Sequence, residues 1–251
     1  MKARAGVRAS VRAALLSVLD SKLESKFASY IESLLKLGAC YIALLLDRIL
    51  RMLKIITITG YKGGVGKSTT AIHLAAYFSE RGKTVLVDGD ANRTAITWAA
   101  RGEFPFVVGD ERQMGKLIQG AQYAIVDTPA RPSSDDLKEL SKGCDLMILP
   151  TIPDVVSVEP MLTIARDLEE MNGKYKALIT LVPPLPSRNG EMMREELDRS
   201  KVPVFRSMIR RTILFGNAAL EGKLISQLSD SRALLAWSDY ESLGKEIERL
   251  I

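Results

Sequence analysis

Residues 61–69 read Tyr61-Lys62-Gly63-Gly64-Val65-Gly66-Lys67-Ser68-Thr69. It follows an apolar run at Ile55–Thr59, which predicts a buried strand, and it opens a segment of helical character at Ser68–Arg81. Glycines between a strand and a helix let backbone N–H groups turn inward around phosphates, and the helix adds its positive N-terminal end. The sequence therefore predicts a phosphate-binding loop.

This loop predicts ATP as substrate and Mg²⁺ as cofactor. Lys67 follows the last loop glycine, from where it reaches the β- and γ-phosphate oxygens, and the Ser68 hydroxyl is a suitable ligand for Mg²⁺. The predicted nucleotide-binding residues of the loop are Lys62, Gly63, Gly64, Val65, Gly66, Lys67, Ser68 and Thr69.

Strands and helices alternate along the rest of the chain. The further predicted strands are Thr84–Asp88, Tyr123–Asp127, Leu146–Thr151 and Ala177–Val182. Helical spacing of apolar residues recurs between and after them, at Ser133–Ser141, Glu159–Met171 and Gly190–Ser200. This alternation is typical of βαβ units. The predicted fold class is α/β, a mostly parallel twisted sheet with helices on both faces, as in doubly wound P-loop NTPases.

The glycine loop departs from the plain phosphate-loop pattern in an informative way. Tyr61 stands where the first glycine belongs, and Lys62 completes the pattern K-G-G-x-G-K-[ST]. With this deviant Walker A loop the chain resembles the ParA/MinD superfamily of P-loop ATPases from residue 54 to near its C-terminus. The resemblance implies an ATPase that forms an ATP-dependent homodimer. It also implies that Lys62 crosses the dimer interface to the phosphates of the partner's ATP.

Two more motifs of that superfamily stand in order. Val85–Asp90 ends a strand with D-x-D, and the resemblance makes Asp90 the carboxylate that positions the attacking water. Ala124–Pro129 resembles the Walker B strand, in which Asp127 would hold Mg²⁺ through water and the loop after it would sense the γ-phosphate. The resemblance therefore implies catalytic roles for Lys62, Lys67 and Asp90 and metal-binding roles for Ser68 and Asp127. Judged on residue type alone, Asp90 also fits a carboxylate that caps the turn after the strand, and Asp127 also fits an ordinary strand end.

The predicted adenine contact departs from the superfamily pattern. Many relatives place an asparagine at the end of the strand that corresponds to Ala177–Val182, whereas this chain reads Leu181-Val182-Pro183-Pro184. A proline still offers its backbone carbonyl oxygen as an acceptor. We therefore expect the backbone carbonyl oxygen of Pro183 to accept a hydrogen bond from the adenine amino group.

The C-terminal stretch bears on membrane binding, which MinD-type relatives achieve with a basic terminal helix. Asp239–Ile251 carries an apolar stripe, but two basic residues stand against four acidic ones. An anionic membrane would repel this balance, so we expect a helix packed on the domain. Two other branches of the superfamily do not fit the sequence. Cys40 and Cys144 do not supply the cluster-binding cysteine pair of nitrogenase-reductase relatives, and the tyrosine-rich tail of the tyrosine-kinase branch is lacking.

The remaining branch of the superfamily is the partition type. Within it the chain resembles cyanobacterial members, some of which partition plasmids and some of which position carboxysomes. Such proteins bind DNA without sequence preference and are released by a ParB-like or other ATPase-stimulating adaptor on a plasmid, chromosome or carboxysome. The candidate DNA contacts are Arg206, Arg210 and Arg211. The expected location is the cytoplasm, in association with the nucleoid. Alternatives are a MinD-like membrane-associated positioning ATPase and a non-hydrolysing, nucleotide-dependent interaction module.

The net positive charge of the chain comes from its N-terminal fifth. Residues 1–53 carry nine Lys/Arg against four Asp/Glu, whereas residues 54–251 carry twenty-six of each. We therefore predict a basic helical extension over 1–53, or a segment upstream of a true start at Met52, and a ParA-like ATPase domain over 54–251. His73 falls among apolar residues of a predicted helix, which favours a packed or half-exposed side chain over a catalytic one.

Overall fold

A computed structural model of the chain describes residues 53–251 and, before them, positions 32, 33 and 38. The predicted extension over residues 1–53 lies almost wholly outside the described residues and stays a prediction. So does its boundary with the ATPase domain.

Within residues 53–251, six strands form one sheet in which all neighbours are parallel, in the order β3-β2-β4-β1-β5-β6. The predicted α/β fold class is confirmed. The strands are β1 Lys54–Gly60, β2 Thr84–Asp88, β3 Val107–Asp110, β4 Tyr123–Ala130, β5 Leu146–Thr151 and β6 Tyr175–Ile179.

Helices connect successive strands and cover both faces of the sheet. In the described part of the chain they are α1 Lys67–Ser79, α2 Thr94–Ala99, α3 Met114–Leu117, α4 Ser134–Gly143, α5 Val155–Glu170, α6 Asn189–Arg199, α7 Leu214–Glu221 and α8 Ser231–Glu248. Short 3₁₀ turns lie at Glu111–Gln113 and Ile225–Gln227.

The alternation of side chains along β1 divides the core in two. Ile56 and Ile58 point to one face, where they join the fully buried Tyr77 of α1 and Tyr240 of α8. The opposite face of the sheet packs against α4, α5 and α6 through residues such as Met147. Because both faces are covered, the central strands are buried over most of their length and consist mainly of apolar residues, as expected for a parallel sheet.

The last helix packs on the domain, as the sequence predicted. Tyr240, Leu243 and Ile247, which form most of its apolar stripe, are buried in the core. Gly244 lies so close to the ring of Tyr77 that a Cβ atom there would collide with the ring. Among the residues that the structure describes, no helix is both long enough and apolar enough to cross a membrane.

The last predicted strand is placed too far along the chain. It was expected at Ala177–Val182 and is found at Tyr175–Ile179. The extended backbone cannot continue because Leu181 adopts a left-handed conformation with φ 51°. After this bend the backbone of Val182 pairs with residues 209–211.

Candidate nucleotide-binding site

The phosphate loop joins the end of β1 to the start of α1. Gly64 and Gly66 have φ values of 76° and 84°, a left-handed conformation that favours glycine. Gly66 occupies the N-cap position of α1 without a side chain to cap the helix. The first N–H groups of α1 therefore point toward the loop, where the positive end of the helix favours an anion.

Lys67 is the first residue of α1, and its side chain turns back into the loop. The residue is 6% exposed, and its Nζ donates a hydrogen bond to the carbonyl oxygen of Lys62 at 3.4 Å. Burial lowers the pKa of the Lys67 ammonium, and the carboxylates of Asp127 and Asp90 oppose this shift. The structure thus brings three predicted site residues within electrostatic reach of one another.

Lys62, the second lysine of the loop, is held within its own chain. Its Nζ lies 3.3 Å from Oδ2 of Asp154, just after β5. Both side chains are partly exposed, at 36% for Lys62 and 46% for Asp154. The sequence analysis did not identify Asp154, because nothing local to that residue connects it with the loop.

Asp127 lies on β4, directly beside Asp88 of β2 and Ile58 of β1 in the sheet register. It is fully buried, and its carboxylate oxygens lack a hydrogen bond of good geometry among the described residues, although the Ser68 hydroxyl lies close enough to favour the carboxylate. Burial raises its pKa to about 7, although Ser68 and Lys67 favour the ionised form. A buried carboxylate next to a serine hydroxyl suits a hard divalent cation, so the predicted metal-binding pair Ser68 and Asp127 fits Mg²⁺.

Asp90 follows β2 in a loop that Asp88 organises. Oδ1 of Asp88 accepts the N–H of Asp90 at 3.1 Å, and Oδ2 accepts the N–H of Ile96 at 3.0 Å. Asp90 itself accepts hydrogen bonds from the backbone and side chain of Asn92, both at 2.9 Å. The sequence analysis left Asp88 without a role, although its place as the first carboxylate of the D-x-D motif was visible.

The loop after β4 is bound to the end of β1. The Thr128 hydroxyl donates to the carbonyl oxygen of Ile58 at 3.0 Å, and the N–H of Arg131 donates to that of Gly60 at 3.1 Å. Arg131 is left-handed, with φ 61°. Thr128, Pro129 and Arg131 of this loop help to line a pocket of about 490 Å³ that is partly open to solvent. The other lining residues include Ile55, Thr57, Val87, Val126, Met114 and Leu140.

The segment after β6 closes the other side of the loop. The hydroxyl of Thr180 is buried and lies 2.8 Å from the carbonyl oxygen of Val65 and 3.1 Å from that of Thr151. Pro183 follows three residues later and is half-buried. Thr180, which the sequence analysis missed, ties this segment to the phosphate loop, and the adenine contact of Pro183 stays a prediction.

The three candidate DNA contacts differ in their surroundings. Arg210 forms a two-pronged ion pair with Asp239 of α8, with both N···O distances 2.7 Å. Arg206 is exposed, and its backbone N–H donates to Glu246 of the same helix at 2.9 Å. Arg211 is also exposed. The carboxylates of α8 make this cluster less positive than its sequence suggests.

A lysine-bearing glycine loop at the end of a central strand, facing a buried carboxylate on the next strand, defines a P-loop nucleotide-binding domain with a deviant Walker A motif. The family model of CobQ/CobB/MinD/ParA nucleotide-binding domains matches residues 56–225, more than half of the chain. The chain belongs to this family, within the ParA/MinD superfamily.

Comparison with individual proteins shows which members of the family this chain is similar to. The chain is 29% identical over 204 residues to Maintenance of carboxysome distribution protein A of Gloeobacter kilaueensis, which covers 78% of this chain and 94% of that protein. It is 26% identical over 187 residues to the protein of the same name in Halothiobacillus neapolitanus, and the match covers 69% of this chain and 87% of that protein. The septum site-determining protein MinD of Pyrococcus horikoshii, complexed with Mg-ADP, shares the fold with TM-score 0.59 and 19% identity, over 79% of this chain and 97% of that one.

Proposed function

We propose that the chain is an ATP-hydrolysing, dimerising switch that positions a cargo over DNA with an adaptor that stimulates hydrolysis. The observation that carries the proposal is the fully buried carboxylate of Asp127, which lies near the Lys67 ammonium and the Ser68 hydroxyl and lacks a hydrogen bond of good geometry among the described residues. Such a group is costly to bury, and a site for a metal-bound triphosphate explains why it is there.

Each site residue has a role in this proposal. Backbone N–H groups of the glycine loop and the ammonium of Lys67 hold the β- and γ-phosphates, and they stabilise the charge that develops during transfer. Ser68 and Asp127 would hold Mg²⁺, which neutralises charge on the phosphate oxygens when bound. Asp90 orients the attacking water. Lys62 leaves Asp154 and reaches the nucleotide of the second protomer.

The proposed cargo follows from the relatives. Two of them are named for carboxysome distribution, which favours a carboxysome, with a plasmid or chromosome as the other cargoes of this superfamily. The DNA-binding surface we propose contains Arg206 and Arg211, with Arg210 contributing less because Asp239 offsets its charge. This function would place the protein at the nucleoid in the cytoplasm.

The test is phosphate release by the purified full chain with ATP and Mg²⁺. We expect slow hydrolysis that DNA and the adaptor increase. Lys67→Ala should abolish it because the phosphates lose their principal counter-charge, whereas the matched control Lys116→Ala, at an exposed lysine of α3, should leave it unchanged. Equal rates in the wild type and the Lys67→Ala variant would refute the ATPase. Nucleotide binding without turnover would favour a non-hydrolysing interaction module.

A second measurement separates the two positioning modes. Binding to random-sequence DNA and to vesicles of anionic phospholipid is measured in parallel, each with and without ATP. We expect ATP-dependent binding to DNA that weakens steeply with salt, because counterion release drives it. ATP-dependent binding to the vesicles instead would favour a membrane-associated switch. The burial of the apolar stripe of α8 argues against that outcome.

A further inference from the structure

The loop between β2 and α2 contains an arginine that does not belong to any motif described above. Arg93 follows Asp90 by three residues and immediately precedes α2. Its φ is 51°, so it lies in the left-handed region that long side chains seldom adopt. An L-residue other than glycine is strained in this conformation, so surrounding contacts must hold it there.

Those contacts connect three parts of the fold. The guanidinium Nη1 donates to the backbone carbonyl oxygen of Asp88 at 2.8 Å, and Nη2 lies 2.7 Å from Oδ2 of Asp110. The backbone N–H of Arg93 donates to the carbonyl oxygen of Asp90 at 2.9 Å. Arg93 thus joins the end of β2, the loop that carries Asp90 and the end of the neighbouring strand β3.

Asp110, which accepts the contact from Nη2 of Arg93, is itself held in place. Asp110 lies opposite Asp88 in the register of β2 and β3, and its Oδ1 accepts the backbone N–H of Arg112 at 2.8 Å. Side-chain exposure is 29% for Arg93 and 26% for Asp110, so water weakens their attraction only partly. A planar guanidinium suits this double attachment better than an ammonium would.

We propose that Arg93 is a positioning residue for ATP hydrolysis, and that its bridge from Asp88 to Asp110 holds the loop so that Asp90 faces the phosphates. This inference rests on the proposed ATPase function. Among the residues that the structure describes, Asn92 of the same loop is the hydrogen-bond donor to the Asp90 side chain, so the place of Asp90 in the site depends on where the whole loop lies. Loss of the bridge leaves the loop formed but displaced, and displacements of about 1 Å can slow an enzyme roughly 100-fold.

The test compares Arg93→Gln, Asp110→Asn and the double variant with the wild type. The maximal hydrolysis rate with saturating Mg-ATP, the Kd for a slowly hydrolysed ATP analogue, and the Tm are measured for each. Arg93→Gln should lower the rate about tenfold or more and leave Kd within about twofold, because phosphate-loop contacts persist. Asp110→Asn should have a smaller effect in the same direction. The double variant should be no slower than Arg93→Gln alone, because both changes break one bridge.

Two controls separate positioning from general stability. Arg112→Gln removes the same charge from an exposed neighbour outside the bridge and should leave the rate unchanged. Asp90→Ala marks the rate obtained without the positioned carboxylate. An additive double variant, or parallel losses in rate, Kd and Tm, would reduce Arg93 to a structural residue and overturn the inference. An unchanged rate in an active Arg93→Gln variant would overturn it while leaving the ATPase intact, whereas an inactive wild type would overturn both.

Discussion

Replacing Asp154 with asparagine should strengthen the ATP-dependent dimer. Lys62 is the residue proposed to reach across the interface, and in the single chain its Nζ lies 3.3 Å from the Asp154 carboxylate. Dimer formation therefore has to break this ion pair in each protomer. Asp154→Asn removes the attraction in the monomer and leaves the interaction with the phosphates unchanged, so the equilibrium shifts toward the dimer.

The magnitude follows from exposure. Both side chains are more than one third exposed, and such surface pairs contribute about 0.2–1 kcal/mol each. Two copies are broken for each dimer, so the gain is at most about 2 kcal/mol, or roughly 30-fold in the dimer dissociation constant. Higher salt should reduce the difference between wild type and variant, because screening already weakens the pair.

The assay is light scattering across a concentration series with a slowly hydrolysed ATP analogue and Mg²⁺. Asp154→Glu, which keeps the charge, is the matched control and should dimerise much as the wild type does. Lys62→Ala should weaken the dimer despite losing the same ion pair. A dimer in Asp154→Asn that is unchanged or weaker than the wild type would refute the idea that Asp154 restrains Lys62.

Three further outcomes are expected. Asp90→Ala should slow hydrolysis and accumulate the dimer, which light scattering with ATP itself would detect; a dimer that dissociates at the wild-type rate would contradict the role of Asp90. Replacing Arg206 and Arg211 with alanine should make the salt dependence of DNA binding shallower by about one unit per lost phosphate contact, and an unaltered slope would place the surface elsewhere. Burial lowers the pKa of His73 to about 4. Between pH 6.5 and 4 the histidine is therefore protonated in the unfolded chain but neutral in the folded one, so falling pH favours unfolding. Urea denaturation should show roughly 3 kcal/mol of stability lost from this group between pH 6.5 and 4, and His73→Gln should remove that part of the slope.

The fold was predictable where its signals are local. The apolar runs of β1, β2 and β5 and the glycine loop after β1 determine their own conformation, and Thr84–Asp88 and Leu146–Thr151 have the predicted bounds. β3 was missed because it is a four-residue edge strand in which Val107 is 52% exposed, so its apolar pattern is weak. The end of β6 was misplaced because apolar residues continue past the left-handed Leu181.

The candidate site shows the same division. The phosphate loop and the motif carboxylates could be recognised because their residue types and spacing carry the chemistry. Asp154 and Thr180 could not, since each meets the loop only after distant strands have come together. His73 was expected to be packed or half-exposed, and the structure shows the first of these, because the ring is completely buried against Tyr240 and Phe215.

Thr128, Pro129 and Arg131 line a pocket of about 490 Å³ that is partly open to solvent. Close-packed interiors resist small displacements, because every side chain already touches its neighbours. On the side of the pocket this loop borders space that solvent can enter, so its residues can be displaced there without disturbing the packed core. The loop can therefore change position while the strands that carry it stay in place, which suits the γ-phosphate sensing that the sequence predicts for it.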